Sequence, residues 1–309
     1  MIGRRAARLL APAAGVLILC GAAVLGAQQV FRGGTDVVLL PVTVTDHADH
    51  LIGGLDQSAF HVFEDGVPQP ITVFSGDPQP ISLSLLLDTS TSMEPRLKIA
   101  QEAAIGFAKR LGPRDQAQVV AFDSQAQVLQ PFTTDQAALE RAIRTTHAGG
   151  STALYMAVYI ALSDLEKVRA TSREDIRRQA IVVLTDGEDT SSLLDYDQVQ
   201  EMAKRSEVTV YSIGLKGPDE VTRGYNEAEY VLRSLAQDTG GRAYFVTKTT
   251  DLNDVYQHIA DELANQYMIG YTSTNHRLDG AWRRVGVVVD RPGAAARTRS
   301  GYFAPQGLR

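Results

Sequence analysis

Asp88-Thr89-Ser90-Thr91-Ser92 presents one carboxylate and two serine hydroxyls at alternating positions, directly after the apolar run Ile81 to Leu87. Oxygens of this kind are hard donors, suited to Mg2+, Mn2+ or Ca2+ and not to zinc. Alone, the run is equally a capping arrangement at the start of a helix. Two further segments shift that balance. Gly149-Gly150-Ser151-Thr152 is a flexible loop that delivers Thr152 to the start of a helix. Leu184-Thr185-Asp186-Gly187 ends a second apolar run with a carboxylate. In open α/β sheets, ligands gather outside the carboxyl ends of the strands, where strand order reverses. Three oxygen-bearing segments in this order, each at a strand end or helix start, are a strong signal for a cation site.

Other chemistry-bearing residues have plainer readings. Asp46-His47-Ala48-Asp49-His50 resembles a metal cluster but lies between two strand candidates, where polar turn residues are expected. His147 is expected to be an ordinary loop residue, and Glu188 and Asp189 part of a solvated loop. The stretch from Lys167 to Arg178 mixes one lysine and four arginines with Glu174 and Asp175, and reads as a solvated face or loop. Trp282, Tyr267, Tyr271 and Tyr302 read as core of a small β unit. Ser90 or Ser92 with His147, oriented by Asp186, is the only hydrolase pairing on offer. Neither a G-x-S-x-G elbow nor an H-E-x-x-H motif accompanies it, so an enzyme is not expected.

The elements that must position the three segments alternate in type. Strands are predicted at Ile81–Leu87, Ala117–Phe122, Gln127–Leu129, Ala180–Leu184, Val208–Leu215 and Ala243–Val246. Helices are predicted at Pro95–Leu111, Asp135–Thr145, Thr152–Val168, Tyr196–Arg205, Ala228–Asp238 and Leu252–Leu263. This is a doubly wound α/β pattern over 81–265. On either side the chain is β-rich. Strands are expected at Val37–Thr45, Phe60–Phe63 and Ile71–Phe74 before it, and at Gln266–Thr272, Trp282–Val289 and Arg297–Phe303 after it. The flanks 36–79 and 266–305 are each too short to fold alone without disulfides or metals. They are expected to pack together as one β-sandwich-like unit with the α/β domain inserted between them.

Residues 1–27 differ in kind. Arg4, Arg5 and Arg8 precede an apolar stretch whose unbroken part is shorter than a membrane-spanning helix. A cleaved secretory signal is expected, and hence an exported chain, periplasmic or extracellular. Membrane attachment is expected, if at all, only through an uncleaved or lipidated N-terminus, and Leu19 before Cys20 is large for a lipidation site. Without this leader the net charge of −6 loses three arginines and becomes about −9, and the only cysteine is gone. No basic run suits nucleic acid.

The pattern Asp88-x-Ser90-x-Ser92, then Thr152, then Asp186 resembles the metal-ion-dependent adhesion site of the von Willebrand factor A family, over roughly 81–265. The flanks, with Phe63–Gly66 and Asp279–Val289, look like an acidobacterial-type subfamily of exported proteins. The resemblance implies a mostly parallel six-stranded sheet in the order 3-2-1-4-5-6 with one antiparallel edge strand. It implies one Mg2+ (or Mn2+ or Ca2+) bound directly by Ser90, Ser92 and Thr152, with Asp88 and Asp186 holding coordinated waters. A protein partner would supply a carboxylate to the open position. The expected function is metal-dependent protein binding or adhesion, with a scaffold subunit of an envelope complex as the alternative.

Overall fold

The computed structural model describes residues 37–169, 177–216 and 227–307. The expected leader with Cys20 lies outside these residues, as does 170–176 of the charged stretch. Among the described residues no helix is long and apolar enough to cross a membrane.

The N-terminal flank supplies β1 (Val37–Thr45), β2 (Phe60–Glu64), β3 (Val67–Gln69) and β4 (Ile71–Ser75). Asp65 and Gly66 both adopt positive φ, 48° and 83°, the backbone of a two-residue hairpin turn that matches strand twist. That turn adds β3, a strand the sequence hides because Pro68 sits in it. Proline is tolerated there because β3 is an edge strand.

The α/β part then runs β5 (Ile81–Asp88), α1 (Leu97–Ala108), β6 (Gln116–Phe122), β7 (Ala126–Thr133), α2 (Gln136–Arg144), α3 (Leu154–Lys167), β8 (Arg178–Thr185), α4 (Tyr196–Arg205), β9 (Thr209–Leu215), α5 (Glu227–Thr239), β10 (Ala243–Val246) and α6 (Leu252–Asn265). The sheet order is β10-β9-β8-β5-β6-β7, and only the β6–β7 pairing is antiparallel. This is the expected topology. β5 is buried along its whole length because helices cover both faces. Leu83, Leu85 and Leu87 pack with α1, α2 and α6, and Leu86 packs with α3 on the opposite face.

The C-terminal flank forms β11 (Tyr267–Thr272), β12 (Trp282–Val289), β13 (Ala295–Arg297) and β14 (Gly301–Phe303). Strands of the two flanks interleave in two four-stranded sheets, β13-β1-β11-β4 and β14-β12-β2-β3. One core joins them, with Leu40, Val42, Ile269 and Tyr271 from the first sheet and Phe60, Val62 and Tyr302 from the second.

The single strand expected at Arg297–Phe303 is two. β13 pairs with β1 and β14 with β12, so the chain crosses from one sheet to the other at Thr298–Ser300. Side chains and backbone at the corner hold it: the Thr298 hydroxyl donates to the Pro41 carbonyl at 2.8 Å, and the Ser300 N–H donates to the Asp238 carbonyl at 3.1 Å. Buried Arg299 donates to the Lys204 and Gly301 carbonyls. Trp282 also departs from expectation. It lies half-buried against the edge of Phe303 at 4.9 Å, with the Lys204 ammonium 5.8 Å from its ring, while Tyr267, Tyr271 and Tyr302 do enter the core.

Lys167 and Arg169 are exposed as the solvated reading expects, but Arg178 is not. It is 3% exposed and donates to the carbonyls of Leu263, Asp77 and Gln266 at 2.6, 3.1 and 2.8 Å. It thus binds both places where the chain passes between the flanks and the α/β part. The described residues, from Val37 onward, form one compact unit.

Candidate metal centre

Asp88 ends β5 at the carboxyl edge of the sheet and is fully buried. Its Oδ1 accepts the Ser90 N–H at 2.8 Å and its Oδ2 accepts the Thr185 hydroxyl at 2.5 Å. The alternation in Asp88–Ser92 has a structural cause. Thr89 and Thr91 face away and anchor the loop: the Thr89 N–H and hydroxyl donate to the Phe122 carbonyl, and those of Thr91 donate to the Gly150 carbonyl. Met93, fully buried, fixes the loop to the core. Ser90 and Ser92 are left on the common side, their Oγ atoms 3.0 Å apart.

The second loop arrives by way of Gly150, whose φ of +73° suits glycine, and where a Cβ would lie 2.5 Å from the Ser124 hydroxyl. The Gly149 N–H donates to the Thr89 carbonyl at 2.8 Å, so this loop is laced to the first. Thr152 is 5% exposed. Its backbone is fixed by Thr190 and Ser191, which leaves the side chain to face Gly187, 3.8 Å from where a Cβ on that glycine would stand.

The third loop brings Asp186. Its Oδ1 accepts the Ser92 hydroxyl at 2.7 Å and its Oδ2 the Arg96 guanidinium at 2.7 Å. The structure therefore links Ser90, Ser92 and Asp186 in one hydrogen-bonded chain, joins Asp88 to the same loops through Thr185, and sets Thr152 beside Gly187. Burial pushes the Asp88 carboxyl above its usual pKa, and the nearby charge of Asp186 adds to this, against the hydrogen bonds from Ser90 and Thr185. Among the described residues no group of three or more His, Cys, Asp or Glu could hold a metal. The donor set here is of another kind, hydroxyls with two carboxylates, and its all-oxygen chemistry fits a hard dication.

Residues 83–258, more than half of the chain, match the family model described as von Willebrand factor type A domain. The chain belongs to this family.

Relatives and solved structures accord with that assignment. An uncharacterized protein of Borreliella burgdorferi is 28% identical over 222 residues, 67% of this chain and 61% of that one. A UPF0353 protein of Mycolicibacterium paratuberculosis is 28% identical over 224 residues, 67% of this chain and 66% of that one. The chain thus spans less than two thirds of the length of these relatives. The solved von Willebrand factor type A protein from Catenulispora acidiphila shares the fold at 14% identity and a TM-score of 0.52, covering 89% of this chain and 76% of that one.

Two residues of this A-type domain escape its motif. Arg96 lies outside DxSxS, and only the fold brings it to Asp186. Asp189, expected in a solvated loop, caps α3. It accepts the Tyr155 N–H at 2.8 Å and the Ser192 hydroxyl at 2.6 Å, and the Ser192 hydroxyl oxygen accepts the Met156 N–H at 3.0 Å. A carboxylate at a helix start was the available signal, but the cap comes from another loop. Burial, then the Asp189 charge, pushes the Tyr155 hydroxyl up to about 12.

His147 is exposed. The hydroxyl partner of Ser90 is Ser92, and that of Ser92 is Asp186. The Asp46–His50 segment folds as a turn: Asp46 accepts the Ala48 and His50 N–H groups at 2.8 Å each and contacts the His50 ring at 3.1 Å. Its Asp49 is not merely solvated, since it pairs with Arg242.

Proposed function

We propose that this chain is an exported binding module of the von Willebrand factor A family that captures a protein partner through one divalent cation. The family commonly mediates metal-dependent protein interactions. Ser90, Ser92 and Thr152 would bind Mg2+, or Mn2+ or Ca2+, directly, with Asp88 and Asp186 behind them through water. The bound ion would supply a Lewis-acidic position for a carboxylate of the partner. Neutral hydroxyls leave much of the dication's charge uncompensated, which makes an incoming carboxylate favourable. The observation that carries the reading is the meeting of all three loops at one carboxyl edge, with Ser90, Ser92 and Asp186 in contact. Export rests on the basic and apolar character of residues 1–27.

Calorimetric titration of MgCl2 or MnCl2 into the chain lacking its leader tests the reading. One saturable site is expected, weakened in Thr152→Ala with little change in thermal stability, because the Thr152 backbone contacts remain. Partner binding should fail in chelator and in Thr152→Ala. Absence of saturable binding in the wild type, or a partner held equally well in chelator, would overturn it. Ester or peptide turnover lost in Ser90→Ala would replace it with a hydrolase.

A further inference from the structure

Arg96 and a dication would make rival claims on one carboxylate. The Arg96 guanidinium lies 2.7 Å from Asp186 Oδ2, and the Asp186 side chain is 1% exposed. Its other oxygen, Oδ1, accepts from Ser92, a proposed ligand. A permanent positive charge therefore sits one carboxylate away from the hydroxyl pair Ser90–Ser92. Guanidinium does not deprotonate in proteins, so this charge cannot be removed by pH.

The position of Arg96 is unfavourable on local grounds. It occupies the N-cap of α1 without a side-chain cap, where the helix dipole disfavours cations. Asp186 is the group that compensates for this. Asp88 and Asp186 bring two negative charges to the site, and Arg96 is the cation that the described ion pairs provide for either. Without it, Asp186 would face Asp88 with no positive neighbour in contact.

We propose that Arg96 is a built-in counter-ion of the metal centre: it holds Asp186 in place when cation is scarce, and it lowers the affinity for the dication. This rests on the proposed metal binding, and makes the site one that fills only at higher ion concentration than its oxygen ligands alone would set. The guanidinium acts through Asp186 and is a positioning residue, not a ligand.

The test compares wild type, Arg96→Met and Arg96→Lys, each as the full chain without leader. Manganese affinity is read by calorimetry and thermal stability is read in chelator. Arg96→Met should bind Mn2+ roughly tenfold tighter, about 1.4 kcal/mol, and melt at lower temperature in chelator. Arg96→Lys keeps the charge and should stay near wild type in affinity, which guards against a mere packing effect. If wild type binds Mn2+ and Arg96→Met binds it equally or more weakly, the counter-ion role is wrong while the metal reading stands. If none of the three binds, the metal reading itself is wrong, and this inference goes with it.

Discussion

The carboxylates that serve the flanking sheets, Glu64 within them and Glu262 on α6 beneath them, and those of the metal centre have buried side chains, yet they are finished differently. Glu64, 2% exposed, accepts the hydroxyls of Tyr271, Tyr302 and Ser273 at 2.9, 2.8 and 2.7 Å, and pairs with buried Arg283 at 3.4 Å. Glu262 on α6 accepts the hydroxyls of Thr43 and Tyr211 at 3.0 and 2.6 Å and pairs with Arg297 at 2.6 Å. Each has a guanidinium of its own. At the metal centre Arg96 pairs with Asp186, and the hydrogen bonds to Asp88 come from neutral donors, so two carboxylates face one guanidinium. A buried carboxylate satisfied by the protein's own groups serves structure. A pair left with net negative charge beside the clustered hydroxyls of Ser90 and Ser92 is suited to a cation from outside. Charge balance separates the two uses where burial alone does not.

Removing one partner from a satisfied cluster should give the largest effect. Glu64→Ala leaves Arg283, 3% exposed, with only the half-exposed Asp279 at 3.9 Å, and should destabilise the chain by about 3 kcal/mol in urea denaturation. A loss below about 1 kcal/mol would be that of a solvent-exposed pair and would break the contrast.

Asp88→Asn should behave in the opposite way. Because folding raises the Asp88 pKa, its charged form opposes folding above the unfolded value. Removing that charge should leave stability in chelator unchanged or higher, since an amide can still meet Ser90 and Thr185. The change appears when ion is added. Wild type at 100 times the dissociation constant should gain about 2.7 kcal/mol, and the variant little or none. A variant that unfolds in chelator would place Asp88 with the structural carboxylates.

How much of this was legible beforehand follows from how local each feature is. The α/β part was readable because buried parallel strands are continuous apolar runs and its helices carry a clear period: Tyr196–Arg205 and Ala243–Val246 match residue for residue. The loops that carry Asp88, Ser90, Ser92, Thr152 and Asp186 are readable because each follows a strand or opens a helix. The contacts of Arg178, Arg96 and Asp189 are not, because each is made to a segment remote in sequence. Long polar side chains read as solvated unless something distant is known to need them. β13 and β14 merged for a related reason, since the corner between them is set by Pro41, Lys204 and Asp238, none of which is nearby in sequence.

The smallest expected effect probes a pair that belongs to neither cluster. Asp49, in the turn of the N-terminal flank, pairs with Arg242 at the start of β10, with 47% and 32% of their side chains exposed. The hydrogen bond from Arg242 is the first cause that lowers the Asp49 pKa below 3.8, and the charges of Arg242, Arg297 and His258 add to it. A depressed carboxylate pKa stabilises the fold above the unfolded value and stops doing so as pH falls through the folded one. Wild type should therefore exceed Asp49→Asn in melting temperature at pH 6, and the margin should shrink below pH 3.8 and vanish once Asp49 is protonated in the folded state too. Asparagine is the right replacement because Asp49 has a φ of 68°, a backbone that asparagine accepts better than most residues. Solvent limits the pair to less than about 1 kcal/mol, and salt should reduce it further. A margin that stayed constant from pH 6 to pH 2.5 would mean that the turn's backbone, and not its charge, ties the flank to the α/β part.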